Sequence, residues 1–192
     1  ELMYIQKNDQ DSRFNSATVN GFAAAGDGNV VIHDVGARID GKVPGIDAWD
    51  YTLEAHGQFG GYGDLTQRAY AGAARTGYTF KEMPWTPRFG VEYAYASGDH
   101  DPSDSKHTTF DNLYPTNHWQ GNYGFIDLLA WQNVHDARAN IKVVPTKKLT
   151  AQVDYHYFWL ASANDGWYFA AGGLATPRPT VGGSFTADSN SL

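Results

Sequence analysis

The chain has 192 residues, no cysteine and a formal net charge of −7. The absence of cysteine excludes a disulfide framework and a thiolate metal site, and the acidic balance argues against nucleic acid as a partner. Aromatic residues make up 15% of the chain, 21 residues are glycine, and no apolar run approaches the length of a membrane helix. This composition favours alternating strands with interfacial aromatics over an ordinary soluble core.

The first part of the chain predicts four strands. Leu2 to Lys7 is a short strand candidate, followed by a long loop over Asn8 to Asn29 that is rich in Asn, Asp, Ser, Ala and Gly. Val30 to Val43 and Trp49 to Phe59 both alternate apolar residues with polar or charged ones, which is the pattern of a strand. Arg68 to Phe80 follows with a weaker pattern, because small residues occupy much of it.

The links between these strands differ in predicted length. Pro44 to Ala48 and the proline-containing Lys81 to Thr86 are short turns. Gly60 to Gln67 is predicted to be a longer, glycine-rich link. Arg88 to Ser97 then resumes the strand pattern, and Gly98 to about Gln132 is the longest connection of the chain.

A strand hairpin is predicted near the C-terminal end. Apolar and polar residues alternate from Ala137 to Val143 and again from Leu149 to Trp159, on either side of the turn Pro145 to Lys148. A period of two predicts strands, and so short a link predicts an antiparallel hairpin. Its strands exceed the roughly five to six residues that are usual in soluble sheets and match the roughly nine to eleven that cross a bilayer. Tyr123 to Trp131, before the hairpin, is predicted as a short helix or a folded-back segment, and Ser162 to Leu192 trails off in small residues.

Together these elements predict an all-β chain that forms an antiparallel transmembrane β-barrel. Long loops and short turns alternate along the chain, as they do between the external and periplasmic ends of outer-membrane barrels. The alternative is an antiparallel sandwich, which would bury the aromatic faces against a second sheet. A bacterial barrel needs an even number of strands, at least eight, and about seven are predicted here. We therefore expect residues 1–192 to be a segment of one barrel domain that is incomplete at both ends.

The start of the chain fits this expectation. Glu1 is not an initiator methionine, and the residues that follow it do not form a signal peptide. Either a leader has been removed or the sequence is an interior piece of a longer chain.

Four blocks of sequence resemble the alginate export family of outer-membrane porins. They are FGVEYAYASGD (Phe89 to Asp99), TFDNLYPTN (Thr109 to Asn117), GFIDLLAWQNVHD (Gly124 to Asp136) and KLTAQVDYHYFWLASANDGW (Lys148 to Trp167). The blocks occur in the order of the family and cover about residues 78–173, while the earlier strands fit by pattern only. The sequence departs from the family in lacking its N-terminal strands and its closing C-terminal strands.

The resemblance implies a monomeric barrel of the bacterial outer membrane that is longer than this chain. Its charged pore would pass an anionic polysaccharide or a small anionic or polar solute by passive diffusion. The partners implied are membrane lipid, lipopolysaccharide, the saccharide or solute itself and periplasmic export proteins.

Charged strand faces supply the candidate functional residues. If the aromatic faces contact lipid, the charged faces line the lumen, where Arg and Lys select anions through their local potential. The alternative for any one residue is that it only neutralises a neighbour across the pore wall. Asp34, Asp40 and Asp50 share these faces. The predicted pore-lining residues are Arg38, Lys42, Glu54, His56, Arg75, Arg88, Glu92, Asp136, Arg138, Lys142, Asp154 and His156.

Many aromatic residues lie towards the strand ends. Girdles at the level of the lipid headgroups explain this position, and a sugar-stacking platform is the alternative. The residues concerned are Trp49, Tyr51, Tyr78, Phe80, Trp85, Phe89, Tyr93, Tyr95, Tyr155, Tyr157 and Trp159.

The segment from Asp99 to His118 is dense in aspartate and histidine. The spacing matches neither a twelve-residue calcium loop nor a His-x-x-x-His zinc pair. A solvated external loop is therefore favoured over a cation site.

Catalysis finds little support in the sequence. No G-x-S-x-G motif occurs, and no glycine-rich phosphate loop follows a strand. His56, Asp154 and His156 fit an outer-membrane hydrolase in principle, but a polar pore lining is the ordinary explanation for them. We expect a channel without cofactor or chemical step. The alternative is a protein that transports nothing, either a soluble β-sandwich binding module or a structural barrel that partners other envelope proteins.

Overall fold

The computed structural model describes residues 1–10, 29–113 and 128–170. They form a single sheet of eight strands, and every long strand pairs with its neighbours antiparallel. The predicted all-β antiparallel class is confirmed, and no helix in these ranges is long and apolar enough to cross a membrane. The strands are β1 (Leu2–Asp9), β2 (Val30–Val43), β3 (Ile46–Tyr62), β4 (Leu65–Thr79), β5 (Arg88–Ala96), β6 (Lys106–His107), β7 (Val134–Thr146) and β8 (Leu149–Leu160).

Strands that follow one another in the chain lie side by side in the sheet. The order is β1-β2-β3-β4-β5-β7-β8, and only the two-residue β6 leaves this path, pairing parallel with β4. Strand β6 was not predicted, because two residues within a long connection produce no periodicity. Within the described residues the sheet is not closed, and β1 and β8 form its edges.

The prediction of a long link over Gly60 to Gln67 is wrong. Strand β3 continues to Tyr62 and β4 begins at Leu65, so that only Gly63 and Asp64 connect them. Glycines near the end of β3 interrupt the apolar alternation without interrupting the backbone pairing, and this hid the strand from the sequence pattern. The strict alternation of long and short links therefore fails here, although this tight turn lies at the same end of the sheet as the long connections.

The other two tight turns are shorter than predicted. Strands β2 and β3 are joined by Pro44 and Gly45, and β7 and β8 by Lys147 and Lys148. Gly45 has a φ of 81°, a conformation that favours glycine. Together with the link 80–87 between β4 and β5, these turns lie at one end of the sheet.

Gly60 allows β2 and β3 to approach each other closely. Its φ is 142°, and a Cβ atom at this position would lie 2.0 Å from the carbonyl oxygen of Val31 on the paired strand. Both the backbone conformation and the space therefore require glycine.

The sheet has one apolar and one polar face. The apolar face carries the outward aromatics, and on β3 the aliphatic Leu53 lies between Trp49 near one strand end and Phe59 near the other. All three side chains are exposed, by 42% to 52%. The ten-residue separation of the two aromatics corresponds to about 33 Å along a strand, or roughly 25 Å along the normal of a membrane if the strand is tilted by about 40°, which matches the apolar band of a barrel. A sandwich would have buried this face.

The buried core lies on the polar face, near the end with the long connections. Phe110, Trp167 and Leu160 pack there against the small residues Ala69 and Ala71 of β4. The small residues that weakened the strand pattern of β4 thus leave room for connections that fold back over the sheet.

We predict that Gly60→Ala destabilises the protein, since the added Cβ collides with Val31 and the left-handed backbone is strained. The expected loss is about 1 to 3 kcal/mol, measured by urea unfolding in lipid vesicles. Gly61→Ala is the matched control, because a Cβ at Gly61 meets nothing within 4 Å. Equal unfolding midpoints for the two variants would contradict the prediction.

Candidate functional site

All of the predicted pore-lining residues lie on the polar face. The register places Arg38 opposite Glu54, and it places Arg75 and Arg138 on either side of Glu92. Paired residues of adjacent strands share a face, so these positions form continuous rows across the sheet. The structure therefore brings together side chains that are up to 118 residues apart in the sequence, from Arg38 on β2 to His156 on β8.

Charges alternate in sign from strand to strand along this face. Arg38 lies 3.8 Å from Glu54, Arg75 lies 3.8 Å from Glu92, and Arg138 lies 3.1 Å from Glu92. Arg138 also pairs with Asp154 on β8, with an Nε to carboxylate distance of 2.8 Å. We call this series the charge ladder; its members are Arg38, Glu54, Arg75, Glu92, Arg138 and Asp154.

Arg138 is the most firmly held cation of the ladder. Its guanidinium donates hydrogen bonds both to Glu92 and to Asp154, and its side chain is only 11% exposed. Hydrogen bonds between ionised groups are stronger than neutral ones, so Arg138 ties β5, β7 and β8 together. The carboxylate of Glu92, with its side chain 3% exposed, depends on this partner.

Arg88 is also held against the sheet, outside the ladder. It donates to Asp50 through Nε and Nη2 and to Asn140 through Nη1. A Cβ atom at Gly77 or Gly90 would lie within 3 Å of the guanidinium. Because these glycines have no side chain, the guanidinium of Arg88 can lie directly against the strand backbones.

Arg38 and Arg75 are held more loosely than Arg88 and Arg138. The carboxylate oxygens with which they form ion pairs lie 3.8 Å away, which is too far for a hydrogen bond. Their side chains are 32% and 30% exposed. Lys42 and Lys142 are exposed and form no ion pair with another residue that the structure describes. Four of the predicted cations are thus paired loosely or not at all within the described residues, and two are held by hydrogen bonds to neighbouring strands.

Two histidines on the polar face contact carboxylates. In His56, Nδ1 lies 2.8 Å from Asp34 and Nε2 lies 3.1 Å from Glu54. An imidazole donates from both nitrogens only in its cationic form, and this geometry fits that form. His156 contacts Asp136 at 2.9 Å. His56 has no ring nitrogen left to serve as a general base while both contacts are kept.

Gly36 makes room for the ring of His56 on the neighbouring strand. A Cβ atom at Gly36 would lie 2.5 Å from the imidazole. As with Arg88, a glycine on the adjacent strand accommodates a long polar side chain of the site.

Two glutamines fix the long connection between β5 and β7 over the polar face. Gln58 exchanges hydrogen bonds with the backbone of Asp111 at 2.7 and 2.8 Å, and Gln67 lies 2.6 Å from the ring of His107. Lys7 of β1 also pairs with Asp111 at 2.9 Å. The alternation over Trp49 to Phe59 predicts that Gln58 lies on the polar face but indicates no role for it. Only the register shows that both glutamines are buried beneath the connection.

Asp165 is the centre of a second set of contacts that holds the connections together. It accepts hydrogen bonds from the backbone N–H of Asp99 and Gly166, from the hydroxyl of Thr109 and from that of Tyr168. Asp165 is fully buried, and Asp99 is 2% exposed. The residues around Asp165 therefore belong to a packed structure rather than to free loops.

Asn133 makes a further set of hydrogen bonds to the segment that contains Asp165. Its side chain donates to the carbonyl groups of Ser162 and Gly166 and accepts from the backbone N–H of Ser162 at 2.7 Å. It has a φ of 47°, a conformation that asparagine adopts more readily than most residues. The segment after β8 is thereby fixed to the start of β7.

The prediction of a solvated loop over Asp99 to His118 is only partly right. Asp99, His107 and Phe110 are buried, whereas Asp101 and Asp104 are exposed. Hydrogen bonds from the hydroxyl and the backbone N–H of Ser103 lower the pKa of the Asp101 carboxyl. No group of three or more potential ligands in the described part of the chain is arranged to hold a metal ion. His118 and most of Tyr123 to Trp131 lie outside the described residues.

Some aromatic rings lie on the polar face, in contrast to the predicted girdles. Trp131 and Phe110 contact each other with ring centres 5.5 Å apart, and both contact His56 edge-on. The sugar-stacking alternative predicted from the sequence concerns other aromatics, those towards the strand ends. These loop aromatics, rather than the girdles, are the ones that adjoin the charged site.

Comparison with known proteins supports the resemblance seen in the sequence blocks. A family model described as alginate export matches residues 2–191, nearly the whole chain. The match includes β1 to β4, which resembled the family by pattern only. No match was found among curated proteins or among solved structures.

We predict that Asp165→Asn loosens the connections that cover the polar face. The new amide group meets donors where the carboxylate accepted hydrogen bonds, at a cost of about 1 to 3 kcal/mol. Hydrogen exchange should become faster in 97–113 and 161–170 while β2 and β3 keep their protection. Asp64→Asn, in the exposed turn between β3 and β4, is the control and should change neither. Unchanged exchange in Asp165→Asn would show that this residue does not anchor the connections.

Proposed function

The chain belongs to the alginate export family, an outer-membrane transport family, and from this premise we propose that its sheet is part of the wall of a channel for an anionic polysaccharide. The observation that carries the proposal is the charge ladder, in which some cations are fixed in the wall and others keep unused hydrogen-bond donors. Export through such a wall needs no cofactor and no chemical step.

We propose that the seven long strands are a segment of a larger barrel in the outer membrane. The edges of β1 and β8 have no strand partner within the described residues. Unpaired backbone groups are too costly to face lipid, and a closed barrel removes them. Further strands of the full-length protein would pair with both edges.

The orientation of the two faces follows from their side chains. The apolar face exposes residues such as Leu53, Val91 and Tyr155 by 50% to 68%, which is favourable in contact with lipid and unfavourable in contact with water. The polar face carries the predicted pore-lining residues and would face the lumen. The tight turns at Gly45 and Lys147 would then lie at the periplasmic rim, where export partners have access, and the long connections at the external side, near lipopolysaccharide.

Arg38 and Arg75 are the cations best placed to contact an anionic saccharide. Their ion pairs with Glu54 and Glu92 lack hydrogen bonds, so a carboxylate of the solute gains donors without breaking a strong contact. The same glutamates weaken the local positive potential. Binding that is favourable but weak, and repeated at several sites, is what conduction requires. This arrangement supports passive diffusion along the wall.

We predict that replacing Arg38 and Arg75 by Gln lowers anion selectivity in planar-bilayer recordings of the full-length protein. A unit charge about 6 Å from a permeating ion contributes roughly 0.7 kcal/mol in water. Each lost charge acts on an anion and on a cation with opposite sign, which is about 1.4 kcal/mol per charge in their ratio. The double variant should therefore reduce the anion-to-cation permeability ratio by at least about tenfold at low salt, where screening is weak.

Arg68→Gln is the matched control for selectivity. Arg68 lies opposite Phe59 on the apolar face, so its loss removes a positive charge without changing the proposed lumen. If the double variant and the control shift the reversal potential equally, Arg38 and Arg75 do not line the pore.

We predict that Arg138→Gln mainly affects stability. Removing Arg138 leaves the buried Glu92 with only the distant Arg75, and uncompensated buried charges typically cost about 3 to 5 kcal/mol. Lys142→Gln, at an exposed position of the same strand, should change the free energy of unfolding by less than about 0.5 kcal/mol. Urea unfolding in vesicles tests both, and similar midpoints would remove the distinction between fixed and available cations.

A further inference from the structure

A groove of about 500 Å³ crosses the apolar face over β4, β5, β7 and β8. Aromatic side chains border it, among them Trp49, Tyr78, Phe89 and Tyr155. These four rings are 39% to 68% exposed. The groove lies outside the charged site, on the opposite face of the sheet.

The register explains why a groove forms at this place. One row across the sheet contains the short side chains Thr76 and Ala139 together with Val91, while the next row contains the longer Tyr78 and Phe89. Short side chains beside long ones leave a depression along the row. Ala139 lies opposite both Val91 and Tyr155 and marks the middle of the groove.

The groove presents carbon surfaces to its occupant. The indole N–H of Trp49 donates to the hydroxyl of Thr76, and this hydroxyl donates to the backbone carbonyl of Asp50 at 2.9 Å. The polar atoms of both side chains are therefore already satisfied. Exposed apolar surface without free polar groups favours a hydrocarbon occupant.

Two cations lie at the ends of β7 and β8, the strands that line one side of the groove. Lys147 and Lys148 form the turn between β7 and β8, and both are exposed. Lys148 is five residues from Val153, a lining residue of the groove, which is about 16 Å along a strand. An acyl chain spans a similar length. A phosphate at the turn and a chain in the groove therefore match one molecule.

We propose that this groove binds a phospholipid, with one acyl chain beside Ala139 and the phosphate at Lys147 and Lys148. The inference rests on the proposed orientation of the apolar face towards lipid. General contact between the apolar face and the bilayer does not require a defined binding site. The groove would be such a site, at the periplasmic side.

Quenching of tryptophan fluorescence by brominated lipid tests the inference. The full-length protein is reconstituted in unbrominated lipid with a small fraction of phosphatidylglycerol brominated on its acyl chains, so that quenching reports a preferred site rather than general contact with the bilayer. The contribution of Trp49 is obtained by difference from Trp49→Phe. Ala139→Phe fills the groove and should reduce quenching of Trp49 by at least half. Ala55→Phe, an equal enlargement on the apolar face outside the groove, should leave it unchanged.

A second comparison tests the headgroup. Brominated diacylglycerol has the same acyl chains without the phosphate. The parent protein should need several-fold more of it to quench Trp49, and the double variant Lys147→Gln, Lys148→Gln should abolish this difference.

Failure of the lipid site and failure of the channel proposal would give different results. Equal quenching in Ala139→Phe and Ala55→Phe, or no preference for the phosphate, would overturn the lipid site while leaving the channel proposal intact. Trp159 lies on the same face as Trp49, on β8 and at the opposite end of the sheet. If neither tryptophan is quenched by any brominated lipid, the proposed orientation of the apolar face is wrong and both proposals fail.

Discussion

Arg138 connects three strands through one side chain, and the polar face depends on such contacts between neighbouring strands. Its guanidinium lies between Glu92 and Asp154, and neither carboxylate has another hydrogen-bonded arginine among the described residues. Charges brought together on one face of a sheet are stable only when opposite signs alternate across the strands. This constraint fixes the register, since a shift by one residue would turn every charge towards the apolar face.

Glycines determine how the polar side chains lie once their register is set. Gly77 and Gly90 let Arg88 lie flat against the strands, and Gly36 does the same for His56. A side chain that lies along the wall occupies less of the space in front of it. Part of the high glycine content is thus explained by these positions, where a side chain would collide with Arg88 or His56.

The faces of the strands could be predicted from the sequence, whereas the packing of the connections could not. A period of two assigned residues such as Arg75 and Glu92 to one face, because alternation is a local property of a strand. The extension of β3 to Tyr62 was missed because glycines carry no side-chain pattern. The burial of Asp165 was missed as well, since its partners Asp99 and Thr109 are more than 50 residues away in the sequence.

The two faces of the sheet differ in how far their hydrogen-bonding groups are satisfied. On the polar face, long charged side chains are either tied down, as Arg138 is, or left with unused donors, as Arg38 and Arg75 are. On the apolar face, Trp49 and Thr76 satisfy each other's polar atoms and leave only carbon surface. A wall that separates lipid from a charged passage needs both: polar groups that are complete where the neighbour is hydrocarbon, and polar groups that are incomplete where the neighbour is a hydrated anion. In the proposed channel, the difference between satisfied and unsatisfied donors, more than the number of charges, therefore distinguishes the residues that stabilise the sheet from those that would contact the solute.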